Sequence, residues 1–328
     1  MSLLEISHLK TSFFTHLGEV KAVDDVSISL DQGETLGIVG ESGSGKSVAM
    51  LSVMRLLSDN GRIVSGGINF RGRDIAKLSE RDMENLRGKQ IGMIFQDPMT
   101  SLNPVFTIGN QLTEMISRHL GLRKKDARGK AVEMLSAVMI PSPDERMRQF
   151  PHELSGGMRQ RAMIAMALCC DPDILIADEP TTALDVTIQA QIIDLMKDLK
   201  KRTGTSVILI THDLGVVAGL CDNICVMYAG RIAERGSSTD IFHNSKHPYT
   251  KGLLASVPNP KKLTRERLVP IKGAPPDLLR PPEGCAFAPR CGQAMRICFL
   301  RRPPLFKVGD LHGASCFLNH PDAPPEAV

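Results

Sequence analysis

The chain has 328 residues, of which 42% are hydrophobic and 23% are charged, and its formal net charge is +4. These values are ordinary for a soluble globular protein, and so small a positive charge does not indicate a nucleic-acid partner. The longest apolar stretches are much shorter than the roughly 20 residues of a membrane-spanning helix. The N-terminal stretch has no basic segment followed by an apolar one, so we expect no signal peptide, a cytoplasmic chain and no structural disulfides.

A glycine-rich loop, GESGSGKS at 40–47, is the first informative stretch in chain order. It follows LGIVG, which is typical of a buried parallel strand, and precedes SVAMLSVMRLL, whose apolar spacing predicts a helix. This order directs free backbone N–H groups and a helix N-terminus at one point, which favours phosphate binding over an ordinary glycine-rich turn. The residues expected to hold a nucleotide's phosphates are Gly40, Ser42, Gly43, Ser44, Gly45, Lys46 and Ser47. Lys46 would reach the β- and γ-phosphates, and Ser47 would be a ligand of Mg²⁺.

A helical region is predicted next, because LRKKDARGKAVEMLSAVMI has apolar residues at helical spacing. The residues alone do not show whether this region does more than cover the core. In LSGGMRQRAMIAMAL, Ser155, Gly156 and Gly157 open another helix and so form a second phosphate-binding N-terminus. One nucleotide does not need two such cradles from one protomer. We therefore expect each chain to offer its second cradle to the nucleotide of a partner.

Two later apolar runs end in polar residues. PDILIADEP ends in Asp178 and Glu179, and SVILITHD ends in His212 and an aspartate. Parallel strands deliver such residues to the crevice at their carboxyl ends, although paired acids also cap helices. In that crevice Asp178 would hold the Mg²⁺ shell, and Glu179 would polarise the water that attacks the γ-phosphate. The sequence therefore predicts binding or hydrolysis of a nucleoside triphosphate.

Together these motifs resemble the ATP-binding subunits of ABC transporters, and more narrowly those of dipeptide and oligopeptide importers. The resemblance covers residues 3 to about 235 in the family's order. It implies an α/β fold: a P-loop NTPase (RecA-like) ABC ATPase core with an antiparallel β subdomain and an α-helical subdomain at about 98–155. The nucleotide-binding domain would span 1–235, and an irregular Cys- and Pro-rich C-terminal extension would span 236–328.

The resemblance also assigns individual residues. Phe13 matches the aromatic residue that stacks on adenine, with Phe14 as the competing choice, and Gln96 matches the Q-loop glutamine. The implied catalytic residues are Glu179, His212 and Gln96; the implied Mg²⁺ ligands are Ser47, Gln96 and Asp178. Ser155, Gly156 and Gly157 match the signature, and Asp185 matches the D-loop aspartate. Met158 and Gln160 depart from the commoner L-S-G-G-Q, which matters little if Ser155 and the glycine backbone make the phosphate contacts.

The end of the chain is rich in cysteine and proline. Of the 21 prolines, 13 lie at or beyond Pro258, and the last 44 residues contain Cys285, Cys291, Cys298 and Cys316. Four thiols in a cytosolic protein indicate zinc or an iron–sulfur cluster. Gaps of five, six and 17 residues lack the close pairs of structural zinc sites and favour a larger cluster. The resemblance implies a 4Fe–4S cluster; zinc, or no metal, is the alternative. We expect the other four cysteines, Cys169, Cys170, Cys221 and Cys225, to be core residues.

The resemblance implies an ATPase that powers import of di- or oligopeptides, or a related solute, from the cytoplasmic face of the inner membrane. The expected partners are a paralogous ATPase chain (or a second copy), two transmembrane permease subunits and, indirectly, an extracytoplasmic solute-binding protein. No nucleic-acid partner is expected. The alternatives are an importer of nickel or glycosides, a soluble ABC-type ATPase acting on DNA or ribosomes, and a soluble regulator with a redox-sensing metal site.

Overall fold

The computed structural model describes residues 2–97, 101–181, 186–256 and 270–323. The strands are β1 (Leu4–Thr15), β2 (Gly18–Leu30), β3 (Thr35–Val39), β4 (Gly61–Phe70), β5 (Arg73–Asp74), β6 (Ile91–Ile94), β7 (Ile174–Asp178), β8 (Ser206–Thr211), β9 (Asn223–Tyr228), β10 (Arg231–Ser237), β11 (Phe306–Lys307) and β12 (Gly313–Ala314). The α-helices are α1 (Lys46–Met54), α2 (Glu80–Leu86), α3 (Ile108–Leu120), α4 (Lys124–Ala137), α5 (Pro143–Arg146), α6 (Gly156–Leu168), α7 (Val186–Thr203), α8 (Leu214–Leu220), α9 (Ser238–Asn244), α10 (Pro248–Ala255) and α11 (Arg296–Leu300). Short 3₁₀ turns are formed by Ile75–Lys77, Pro151–Glu153, Ala288–Arg290 and Phe317–Asn319.

The chain folds into two compact units. The first contains Asp31–Glu34 and Lys77–Ile210; the second contains Ser2–Leu30, Thr35–Ala76 and the described residues from Thr211 onwards. Across the described helices, none has both the length and the apolar character that a membrane crossing requires.

A parallel sheet lies at the centre of the first unit. β7 pairs with β6 on one side and with β8 on the other, so that Ile174 faces both Ile91 and Ser206. Every residue of these three strands is buried, which is typical of parallel strands covered on both faces. β7 and β8 correspond to the runs PDILIADEP and SVILITHD, so both predicted strands are confirmed.

The chain between β6 and β7 is mostly helical. α3 buries Ile108, Leu112 and Ile116, and α4 buries residues at the same four-residue spacing, so each helix presents one apolar stripe. Thr107 accepts a hydrogen bond from the backbone N–H of Asn110 and so caps the start of α3. α4 covers most of the stretch that the sequence predicts to be helical.

The second unit contains two groups of paired strands. β1 pairs antiparallel with β2 and with β4, placing Leu4 opposite both Leu30 and Phe70, and β5 extends this sheet beyond β4. β3 pairs in parallel with β9, and β9 pairs antiparallel with β10. The helix that follows the glycine-rich loop is shorter than the sequence predicts. α1 ends at Met54 because Arg55 takes a left-handed conformation and donates its N–H to the carbonyls of Leu51 and Ser52.

The cysteine- and proline-rich segment belongs to the second unit. Between 270 and 323 its regular structure is limited to short turns, α11 and the two-residue strands β11 and β12. β12 pairs with β10, placing Ala314 opposite Glu234. The Glu234 side chain is fully buried and accepts a hydrogen bond from Nε2 of His312 at 2.7 Å. A two-residue strand pairing and one buried carboxylate therefore help to attach this segment to the rest of the unit.

Candidate functional site

The glycine-rich loop joins β3 to α1, as the sequence predicts. Gly43 and Gly45 have φ angles of 76° and 96°, which L side chains rarely adopt. Lys46 is buried, and its Nζ donates hydrogen bonds to the carbonyl oxygens of Gly40 at 2.8 Å and Glu41 at 2.9 Å. The loop backbone therefore holds the positive charge that is predicted to meet the phosphates.

Two glycines of this loop also lie against neighbouring backbone. A Cβ at Gly40 would overlap the carbonyl oxygen of Met227 in β9, and a Cβ at Gly45 would overlap that of Ala22 in β2. A Cβ at Gly43 would meet nothing within 4 Å. Gly40 and Gly45 are thus needed both for their backbone angles and for packing, whereas Gly43 is needed for its angle alone.

The two candidate adenine-stacking residues lie side by side near the end of β1. Because successive side chains of a strand point to opposite faces, Phe13 and Phe14 cannot both face one ligand. Phe13 is half-buried and packs over Gly61 in β4, whereas Phe14 is 47% exposed and lies beneath the guanidinium of Arg62. The choice between the two stays a prediction.

In the first unit, the acidic residues lie at the end of β7. Asp178 is buried, and Glu179 follows with φ of 46°, a left-handed conformation that is unusual for a residue with a side chain. The Glu179 N–H donates to the carbonyl of Ile210, the last residue but one of β8, at 2.9 Å. Nε2 of Gln96 donates to Oε2 of Glu179, also at 2.9 Å. The structure thus brings the predicted Q-loop glutamine into contact with the predicted catalytic carboxylate.

The predicted signature forms the start of α6. Ser155 caps the helix by accepting a hydrogen bond from the N–H of Met158 at 3.3 Å, and Gly156 is exposed with open space where a Cβ would be. Gln160 is buried one turn into the helix and donates from Nε2 to the carbonyl of Pro180, the residue after Glu179. The signature helix is therefore tied to the acidic end of β7 through a residue that the sequence reading treated as a departure from the motif.

His212 and Asp185 are the remaining residues predicted to contact the nucleotide. His212 is exposed directly after β8, and the next residue, Asp213, caps α8 by accepting from the N–H of Gly215 at 2.8 Å. Asp185 lies outside the described residues. Of the predicted catalytic residues, Gln96 and Glu179 belong to the first unit and His212 to the second.

The four tail cysteines line one small cavity, together with His247 and Phe287. The N–H of Cys285 donates to the carbonyl of Cys298 at 2.7 Å, which brings these two parts of the segment together. Burial raises the pKa of the Cys285 and Cys291 thiols, and it raises the pKa of Cys316 to about 12. These thiols are protonated near neutral pH unless a cation stabilises their thiolates.

The four thiols share a cavity, but the structure does not arrange them as the ligands of a metal ion. In the ranges that the structure describes, no group of three or more His, Cys, Asp or Glu side chains is arranged to hold a metal ion. A shared cavity is therefore what the structure shows at the four cysteines; neither a 4Fe–4S cluster nor zinc is established.

Comparison with known proteins identifies the family. Residues 23–182 match the ABC transporter family, and residues 233–298 match the oligopeptide/dipeptide transporter C-terminal region. The oligopeptide transport ATP-binding protein OppD of Bacillus subtilis (strain 168) is 56% identical over 99% of this chain and 92% of its own length. The chain belongs to the oligopeptide/dipeptide family of ABC transporter ATP-binding subunits. OppD of Salmonella typhimurium is 54% identical over 96% of this chain, and the dipeptide protein DppD of Bacillus subtilis is equally similar.

Solved ABC cassettes agree with this membership. A dimeric, post-hydrolysis ATP-binding cassette bound to ADP and Pi superposes with a TM-score of 0.65 at 25% identity, covering 72% of this chain and 98% of that one. The ABC ATPase fold predicted from the sequence is confirmed, and so is the enzyme class: the chain is an ATPase of the ABC type, for which ATP and Mg²⁺ are the expected ligands.

Several residues of this ABC subunit make contacts that the sequence did not predict. His247 caps α10 through Nδ1, and the hydroxyl of Tyr249 accepts a hydrogen bond from the N–H of Glu41 in the glycine-rich loop at 2.8 Å. Arg290, between two of the tail cysteines, forms an ion pair with the same Glu41. The bond between Glu41 and Tyr249 has no local signal in the sequence, because 208 residues separate the two positions.

Proposed function

We propose that this chain is the ATP-binding and hydrolysing subunit that powers uptake of oligopeptides or dipeptides. The observation that carries the proposal is identity above 50% with oligopeptide and dipeptide transport proteins over nearly the whole chain, including the C-terminal region. Identity of this kind does not favour nickel or glycoside import, nor a soluble regulator with a redox-sensing site.

We propose the following roles in hydrolysis. The glycine loop and Lys46 bind the β- and γ-phosphates, and Phe13 stacks on the adenine. Glu179 accepts the proton of the attacking water while Gln96, 2.9 Å from its carboxylate, fixes the orientation of that carboxylate. His212 hydrogen-bonds the γ-phosphate. Ser47, Asp178 and Gln96 are the proposed protein ligands of Mg²⁺, which supplies positive charge to the phosphates when bound.

The signature supports a proposal about assembly. Ser155, Gly156 and Gly157 lie at an exposed helix N-terminus, where free N–H groups favour an anion. We propose that they bind the γ-phosphate of a nucleotide held by a second ATPase chain, with Asp185 at the same interface. The second chain is a paralogue, with a homodimer as the alternative. Two permease subunits and an extracytoplasmic solute-binding protein complete the importer, and the ATPase lies at the cytoplasmic face of the membrane.

We propose a nucleotide-binding domain at 1–235, with its helical subdomain at about 98–155, and an extension at 236–328. For the four tail cysteines we propose a 4Fe–4S cluster, with zinc as the alternative, on the ground that all four thiols border one cavity. Iron, acid-labile sulfide and zinc analysis of anaerobically purified protein tests this; zinc without sulfide favours the alternative, and neither metal rejects both.

Uptake measured in cells tests the proposed function. A strain that lacks this chain and requires one amino acid is supplied with that amino acid only as a di- or oligopeptide. The wild-type chain should restore growth, whereas Glu179→Gln should fail although it binds ATP. Glu5→Gln, the same chemical change at an exposed position of β1, is the matched control and should restore growth. Growth restored equally by Glu179→Gln, or uptake of nickel or glycosides in place of peptides, would contradict the proposal.

A further inference from the structure

Arg290, in the C-terminal segment, contacts the phosphate-binding loop directly. It ends the turn Ala288–Arg290, and its side chain is only 5% exposed. Nη1 and Nη2 donate to the two carboxylate oxygens of Glu41 at 2.6 and 2.9 Å, so the pair is bidentate. A bidentate pair fixes the orientation of the two groups as well as their distance.

The guanidinium is fully satisfied. Nε donates to the carbonyl of Lys272 at 3.0 Å, Nη1 also donates to the hydroxyl of Tyr228 at 3.2 Å, and Nη2 to the carbonyl of Ile271 at 3.3 Å. These three bonds and the two to Glu41 use all five N–H donors of an arginine. Its partners therefore hold the guanidinium of Arg290 in one orientation.

Glu41 is fixed at each of its polar groups. Its carboxylate binds Arg290, its N–H donates to the hydroxyl of Tyr249 at 2.8 Å, and its carbonyl accepts from Nζ of Lys46 at 2.9 Å. A continuous chain of hydrogen bonds thus runs from the C-terminal segment through one loop residue to the lysine that is proposed to bind phosphate.

Charge gives this contact a second consequence. Glu41 is an anion in the loop that receives a triphosphate, and like charges at short range oppose binding strongly where water is excluded. Arg290 neutralises that carboxylate without needing a contact to the nucleotide.

We propose that Arg290 is a positioning residue for ATP: through Glu41 it fixes the backbone that holds Lys46, and it cancels the negative charge of that loop residue. The C-terminal segment then contributes to nucleotide affinity rather than only to stability. This inference rests on the proposed binding of ATP phosphates by the loop.

Nucleotide titration of the full chain tests the proposal, with the β,γ-imido analogue of ATP and Mg²⁺ as the probe. Arg290→Gln leaves the Glu41 charge unpaired and should raise Kd roughly tenfold. Glu41→Gln removes the anion but keeps one oxygen that can accept from Arg290, so it should raise Kd less than Arg290→Gln does. The double variant restores the charge balance and should bind more tightly than Arg290→Gln alone. Arg302→Gln, which breaks another ion pair of the same segment, with Asp24 at 2.7 Å, is the matched control and should stay within about twofold of wild type.

The outcomes separate the possible failures. If Arg290→Gln binds the analogue as wild type does and lowers only the midpoint of thermal unfolding, the residue is structural and the proposal is wrong. Equal losses in Arg290→Gln and Arg302→Gln would also overturn it. If Arg290→Gln does not fold, Arg290→Lys and Glu41→Gln decide: a Kd for Glu41→Gln raised as much as that of Arg290→Lys contradicts the charge argument. Failure of the wild-type chain to bind the analogue would count against the proposed function itself.

Discussion

Replacing single glycines of the glycine-rich loop by alanine gives a sharp test of its geometry. Gly43→Ala meets open space and must only tolerate φ of 76°, which costs about 1 kcal/mol. Gly45→Ala carries a comparable backbone cost at φ of 96°. In addition, its Cβ would lie closer than 3.0 Å to the carbonyl oxygen of Ala22, a separation that real Cβ atoms essentially never show. Relieving such an overlap costs about 1–3 kcal/mol more. The free energy of unfolding should therefore fall by about 2–4 kcal/mol in Gly45→Ala.

Urea unfolding and nucleotide titration on both variants measure this difference. We expect the free energy of unfolding to fall by about 1 kcal/mol in Gly43→Ala and by about 2 kcal/mol or more in Gly45→Ala. Nucleotide binding should weaken more in Gly45→Ala, because moving Ala22 or the loop displaces the N-terminus of α1 that follows. Equal losses in the two variants would refute the packing of Gly45 against β2. A larger loss in Gly43→Ala would show that the loop has a different shape.

Three further outcomes follow from the described contacts. Glu234→Ala should lower the free energy of unfolding by about 3 kcal/mol or more, because His312 and two backbone N–H groups lose a buried acceptor. Burial lowers the pKa of His247 from 6.5 to about 4, so the unfolded chain takes up a proton before the folded chain does. Stability should therefore fall by about 1.4 kcal/mol per pH unit as pH decreases from about 6.5 to about 4, and His247→Asn should remove that slope. Phe13→Ala should weaken nucleotide binding more than Phe14→Ala.

Each of these has a control or a contradicting result. Asp322→Ala removes an exposed carboxylate of the same segment, and a loss as large as that of Glu234→Ala would contradict the importance of the buried acceptor. A pH slope that persists in His247→Asn would assign the effect to other groups. If Phe14→Ala alone weakens binding, the adenine lies on the opposite face of β1.

Local patterns in the sequence were sufficient for the elements that carry the nucleotide motifs. LGIVG, PDILIADEP and SVILITHD form β3, β7 and β8, because short apolar runs bounded by glycine or polar residues fit buried parallel strands. Cys169, Cys170, Cys221 and Cys225 are buried, as expected for small apolar side chains. α1 is shorter than its apolar spacing suggests, since the left-handed conformation of Arg55 depends on backbone geometry and not on that spacing.

Contacts between distant parts of the chain could not be read from such patterns. Arg290 and Glu41 are separated by 249 residues, and no sequence motif predicts their contact. Gln160 was interpreted as a departure from the signature, yet it donates to the carbonyl of Pro180, the residue after Glu179. Gln96 was placed by family resemblance, and its contact with Glu179 depends on the pairing of β6 with β7. Each of these contacts exists only once the sheet or the loop has formed.

The left-handed backbone of Glu179 bears on how this protein would respond to engineering. A residue with a side chain at φ of 46° carries strain of about 1–3 kcal/mol, and a glycine there would relieve it. Screens that reward heat resistance alone should accumulate changes at this position, because they recover that energy without any requirement for turnover. Because Glu179 is the proposed catalytic base, we expect the survivors of such a screen to bind nucleotide without driving transport, so directed evolution of this subunit needs a transport readout from its first round.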